Sequence, residues 1–78
     1  MKDKRDFRLE IASIESASDY VRDILKQYKC TDRDMVRAQL FTEETMVYWT
    51  ETANEGDILQ INVRKRFKTI SLSLSYRG

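Results

Sequence analysis

The chain has no histidine, no proline, one cysteine (Cys30) and two glycines (Gly56 and Gly78). Without histidine, the commonest general base and the commonest metal ligand are both missing. No metal site and no cofactor are expected. A lone cysteine excludes an internal disulfide and favours a reducing, cytoplasmic setting. No stretch approaches the roughly 20 apolar residues of a membrane span. The charged start, Met1-Lys2-Asp3-Lys4-Arg5-Asp6, leads into no apolar run and does not read as a signal peptide. Charge of one sign is also lacking. Lys plus Arg total 14 against 13 Asp plus Glu, so net charge points to neither nucleic acid nor an acidic partner.

What is present is a globular composition, 41% hydrophobic and 35% charged, which excludes a disordered chain. The 78 residues are expected to form one small α+β domain spanning 1–78, belonging to a longer chain. A domain of this size hides only about 60% of its unfolded surface, so modest stability is expected and self-association would add to it.

Hydrophobic period places the elements. Phe7, Leu9 and Ile11 alternate with Arg8, Glu10 and Ala12, the pattern of a strand with one buried face. Ser16 with Asp19 resembles a capping box, and Ala17, Tyr20, Val21, Ile24, Leu25 and Tyr28 follow helical spacing. Thr31 with Asp34 opens a second helix in the same way, with Asp32 also in its first turn. Its apolar residues spread around much of the circumference, so this helix is expected to meet the sheet and either the first helix or a partner. Asn54-Glu55-Gly56-Asp57 reads as a turn. Leu59, Ile61 and Val63 mark a second strand, and Ile70, Leu72, Leu74 and Tyr76, alternating with Ser71, Ser73 and Ser75, mark a third. A short hairpin over 64–68 joins them. The result is a two-layer β-α-α-β-β fold, with two helices on one face of a three-stranded antiparallel sheet and the polar face in water.

The segment Leu40-Phe41-Thr42-Glu43-Glu44-Thr45-Met46-Val47-Tyr48-Trp49 sets two adjacent carboxylates among apolar residues on the second helix. With the element order, it resembles the N-terminal half of a GHKL (histidine-kinase-like) ATPase domain, most closely that of the anti-sigma-factor serine kinases. In that family a Glu-x-x-x-Asn motif on the second helix supplies a glutamate that orients a water or hydroxyl and an asparagine that holds magnesium. Glu44 falls on the glutamate and Tyr48 on the asparagine, and Tyr48 lacks the carboxamide oxygen that magnesium would take as a ligand. The family's Asp-x-Gly box is similar to Tyr76-Arg77-Gly78, with Tyr76 in place of the adenine-reading aspartate. The strings at 40–49, 63–67 and 70–73 also resemble a degenerate kinase-like segment carried by bacterial transporters of the dicarboxylate/amino-acid:cation symporter type. The resemblance therefore implies a parent chain associated with a membrane, although this segment itself is expected to make no membrane contact.

These departures imply a non-catalytic regulatory or protein-interaction domain, with Glu44 the sole match to a catalytic position. The alternatives are a fragment of an active ATP-binding kinase and a nucleic-acid binder using the basic hairpin. That hairpin, Arg64, Lys65, Arg66 and Lys68 around Phe67, reads first as a solvated turn that discourages edge pairing, and no nucleic acid is expected. Cys30 reads as a small buried filler, and Tyr20, Tyr28, Tyr48 and Trp49 as core packing or the lining of a small pocket. Interaction is expected through Arg64, Arg66, Lys68, Trp49 and Tyr48, and through the unpaired edge of the last strand, where a homodimer would form.

Overall fold

A computed structural model describes residues 2–78. Its elements are β1 (Lys2–Arg8), a 3-10 turn (Ile11–Ser13), α1 (Ile14–Gln27), α2 (Asp32–Thr50), β2 (Ile58–Arg66) and β3 (Thr69–Arg77). The sheet order is β1-β2-β3, with both pairings antiparallel and β2 central. The fold is α+β with the β-α-α-β-β order.

The alternation in β2 produces this layering. Leu59, Ile61 and Val63 are fully buried. Opposite them on the same face lie Phe7, Arg5 and Asp3 of β1, and Tyr76, Leu74 and Leu72 of β3. The helices close this face with Ala17, Val21, Ile24 and Leu25 from α1 and Met46 from α2. The reverse face is polar, but it is not uniformly wet. Gln60 is buried, its amide donating to Asp6 Oδ1 at 3.0 Å and its carbonyl accepting from Asn62 Nδ2 at 3.3 Å. Ser71, Ser73 and Ser75 on the outer strand are exposed, as their alternation implies.

The first third of the chain departs from the expected boundaries. β1 begins at Lys2 and ends at Arg8, so Ile11 is not a strand residue and is 77% exposed. Phe7 and Leu9 are buried as the alternation requires, and the Leu9 N–H donates to Asp57 O at 3.0 Å. Past that bond the chain turns away from the sheet. Nor does Ser16 cap α1. The helix starts three residues earlier, with Ser13 at the cap position, because Ile14 already lies on the stripe that continues through Ala17, Val21 and Ile24. Ser16 is left exposed inside the first turns. The inner face of β1 also carries two charged residues. The Arg5 guanidinium sits 5.0 Å from the Phe7 ring centroid and 5.6 Å from that of Tyr20, and Asp3 accepts the Tyr28 hydroxyl. A strand at the sheet margin can do this because a long side chain there covers apolar rings while its charge reaches water. The phenol of Tyr28 is pushed up to about 12, first by the hydrogen bond to Asp3 and then by burial.

Thr31 caps α2 as expected, its hydroxyl accepting the Asp34 N–H at 3.1 Å. The end of α1 was less legible. Cys30 N–H donates to Leu25 O and Lys29 N–H to Lys26 O, both at 3.0 Å, which is the paired bond set of a Schellman cap. It places Lys29 at φ +59°, in the left-handed region where a side chain is strained. Lys29→Gly is accordingly expected to stabilise the domain by about 1 kcal/mol, read as a higher urea midpoint with an unchanged slope.

Candidate protein-interaction surface

The two sheet margins differ in chemistry. Every residue of β1 except Phe7 is charged, whereas β3, Thr-Ile-Ser-Leu-Ser-Leu-Ser-Tyr-Arg, carries charge only at Arg77. Charged side chains on an edge obstruct pairing with another strand, and an uncharged edge without proline or bulge permits it. β3 has β2 on one side and no strand on the other among the described residues.

Which backbone groups β3 leaves open follows from the hairpin. Its closing pair is Arg66 with Thr69 around the two-residue turn Phe67-Lys68. The closing pair of such a turn is hydrogen-bonded, and bonded and non-bonded pairs then alternate. Thr69, Ser71, Ser73, Ser75 and Arg77 therefore bond to β2. The N–H and C=O groups of Ile70, Leu72, Leu74 and Tyr76 point outward. The side chains of those same four residues lie on the helix face and are only half-buried.

α2 supplies the flank above this margin. Glu43 and Gln39 face α1, where Ser18 Oγ donates to Glu43 Oε2 at 2.6 Å and accepts from Gln39 Nε2 at 3.1 Å. Thr42 and Met46 are fully buried, and Trp49 meets Tyr76 edge-on with centroids 5.6 Å apart. At 100° per residue, Phe41 and Tyr48 then project from the side opposite α1, on the β3 flank. They are 51% and 70% exposed. Val36, Leu40 and Val47 are also about half exposed. Apolar surface beyond the buried stripe of this helix thus remains exposed among the described residues.

The predicted site residues do not form one cluster. Tyr48 and Trp49 stand near the Tyr76 end of β3, while Arg64, Arg66 and Lys68 flank the hairpin at its other end. The seven steps from Thr69 to Tyr76 span about 23 Å. Glu44 is exposed on the solvent side of α2. Glu43 is the carboxylate that is held. Tyr76 donates its hydroxyl to the carboxylate of buried Asp57. Asp57 also accepts the Asn54 N–H at 2.8 Å. The Tyr76 bond, followed by that from Asn54, holds the Asp57 carboxyl below its ordinary range, and the same bond raises the Tyr76 phenol.

A lowered carboxyl pKa stabilises the fold above the unfolded value, about 3.9, and that contribution is lost as pH falls through the lower folded value. Asp57→Asn is therefore expected to melt below the parent at pH 7. The gap should narrow at pH 3 and below, as followed by circular dichroism.

The structure also contains a cleft of about 560 Å³ where the α1–α2 bend meets the hairpin, with Leu25, Tyr28, Ile70 and Leu72 among its lining and Lys65 beside them. Of the four aromatic residues taken together in the sequence, only Tyr28 lines it. Cys30 is half-buried on its wall and is not sealed in the core. Burial, followed by the charge of Asp34, pushes its thiol pKa up against the opposing effect of Lys65, so the thiol is not activated. Ser18, Gln39, Glu43 and Asp57 were missed as interacting groups. For Ser18 a signal was present, since it lies on the α1 stripe four residues after Ile14.

The chain matches no protein-family model, no curated protein and no solved structure at a significant level. No helix among the described residues is long and apolar enough to cross a membrane.

Proposed function

We propose that this chain is a non-catalytic regulatory domain, derived from a histidine-kinase-like ATPase, that acts by offering the outer edge of β3 to another protein strand. The observation that carries the reading is the contrast between the two margins. β1 is charged at every position but one, and β3 is uncharged from Thr69 to Tyr76 with no strand on its outer side among the described residues. Strand addition at such an edge draws affinity from main-chain bonds and selectivity from alternate side chains. Phe41 and Tyr48 extend the contact with apolar area. Solvent-facing Glu44 and the engagement of Tyr76 with Asp57 support the non-catalytic half of the proposal.

The test combines sedimentation with ligand titration. Association that depends on an unmodified β3 edge, together with no saturable ATP–magnesium binding, is the expected result. Saturable nucleotide binding that disappears in Glu44→Ala would show an ATP-binding kinase fragment instead. Salt-dependent binding of an oligonucleotide lost on neutralising Arg64, Arg66 and Lys68 would favour the nucleic-acid reading.

A further inference from the structure

We infer that the strand received by β3 is β3 of a second copy, paired antiparallel about a two-fold axis that passes beside Ser73. The inference rests on the edge-pairing reading above and names its partner and register. Three constraints select it. First, the half-buried helix-face residues must meet their like, so even-numbered residues must lie opposite even-numbered ones. A shift of one residue would bring Ile70, Leu72, Leu74 and Tyr76 against the exposed serines. Second, the outward backbone groups are those of the even residues, so hydrogen-bonded pairs have to be even with even. Third, full overlap of a strand running from Thr69 to Arg77 puts its midpoint, Ser73, opposite itself.

That register pairs Leu72 with Leu74 and Ile70 with Tyr76 of the other copy. It meets the outward N–H and C=O groups of all four even residues in each chain. No like charges oppose one another, because Arg77 faces Thr69. A strand pair alone is narrow, and a specific interface buries about 1,000 Å² or more. The two-fold axis brings the β3 flank of each α2 toward the other, so Phe41 and Tyr48 are the large side chains placed to supply the remainder. Their exposure is what this assembly would remove. The result is a six-stranded sheet with the charged β1 strands at its outer margins, where further addition is blocked.

Cross-linking tests the register. Facing residues of a non-hydrogen-bonded antiparallel pair have Cα atoms about 4.5 Å apart, within the range a disulfide bridges. In a Cys30→Ala background, Ser73→Cys is expected to convert to a covalent dimer on mild oxidation. Ser71→Cys alone should not, because its counterpart in the other copy lies about 14 Å along the strand. An equimolar mixture of Ser71→Cys and Ser75→Cys chains should form the mixed dimer. Sedimentation of the Cys30→Ala chain is run in parallel. Association without a Ser73 cross-link would overturn this register while leaving edge pairing in place. A monomer at every concentration would overturn the second copy as the partner, while leaving the β3 edge open to a strand of another protein.

Discussion

Met46→Ala is expected to cost about 3 kcal/mol, within the range for removing a large apolar side chain from a packed core. Met46 has no exposed surface and is the one large apolar side chain that α2 buries completely. α2 otherwise meets the core through fully buried Thr42 and through Met35, Ala38 and Trp49, which are partly buried against it. The total stability expected of 78 residues is about 4–12 kcal/mol, at roughly 0.05–0.15 per residue. A loss of this size would leave little margin. Met46→Leu, which nearly conserves volume, should cost less than about 1.5 kcal/mol. Urea unfolding followed by Trp49 fluorescence, at one fixed chain concentration because association also stabilises, separates the two outcomes.

Leu74→Lys carries the largest expected effect on assembly. Leu74 faces Ile61 across β2 and is half-buried in the single chain, so the ammonium can reach water beside the open edge. In the paired sheet the same side chain would face Leu72 of the other copy beneath α2. There its charge would be buried twice over, once in each half. The expected penalty is about 3 kcal/mol, or roughly a 100-fold rise in the dissociation constant. Ser73→Thr on the exposed face, which keeps a hydroxyl opposite its counterpart, should leave pairing nearly unchanged. Sedimentation equilibrium measures both, with far-ultraviolet circular dichroism confirming that each variant stays folded.

The elements most legible in the sequence were those whose side chains obey a single period. Leu59, Ile61 and Val63 alternate without exception and are fully buried. The α1 stripe and the Thr31 cap are likewise where spacing places them. Legibility failed where a residue's neighbours lie far along the chain. Ile11 continues an alternation but lies past the Leu9–Asp57 bond that ends β1's course. Asp3 and Arg5 belong to the charged start and carry no apolar pattern, yet pairing with Val63 and Ile61 puts them on the helix face. Phe67, at φ +57° and 92% exposed, occupies a turn position where glycine is usual, and nothing in its own identity announces that turn. The candidate surface was half legible. The open edge of β3 followed from element order, whereas its contrast with β1 required knowing that β1 begins at Lys2. Of the two aromatic residues expected at an interaction surface, Tyr48 is exposed and Trp49 packs edge-on against Tyr76. The basic hairpin lies at the far end of the strand from both.

Hydrogen exchange along β3 tests the central claim most directly. In a single chain the amides of Ser71, Ser73 and Ser75 are bonded to β2, whereas those of Ile70, Leu72, Leu74 and Tyr76 face outward. Pairing through the edge predicts that these four amides become protected as concentration rises and lose that protection together on dilution or in Leu74→Lys. If they exchange at unprotected rates at every concentration while their odd-numbered neighbours remain protected, the edge is not an interface and the account is wrong.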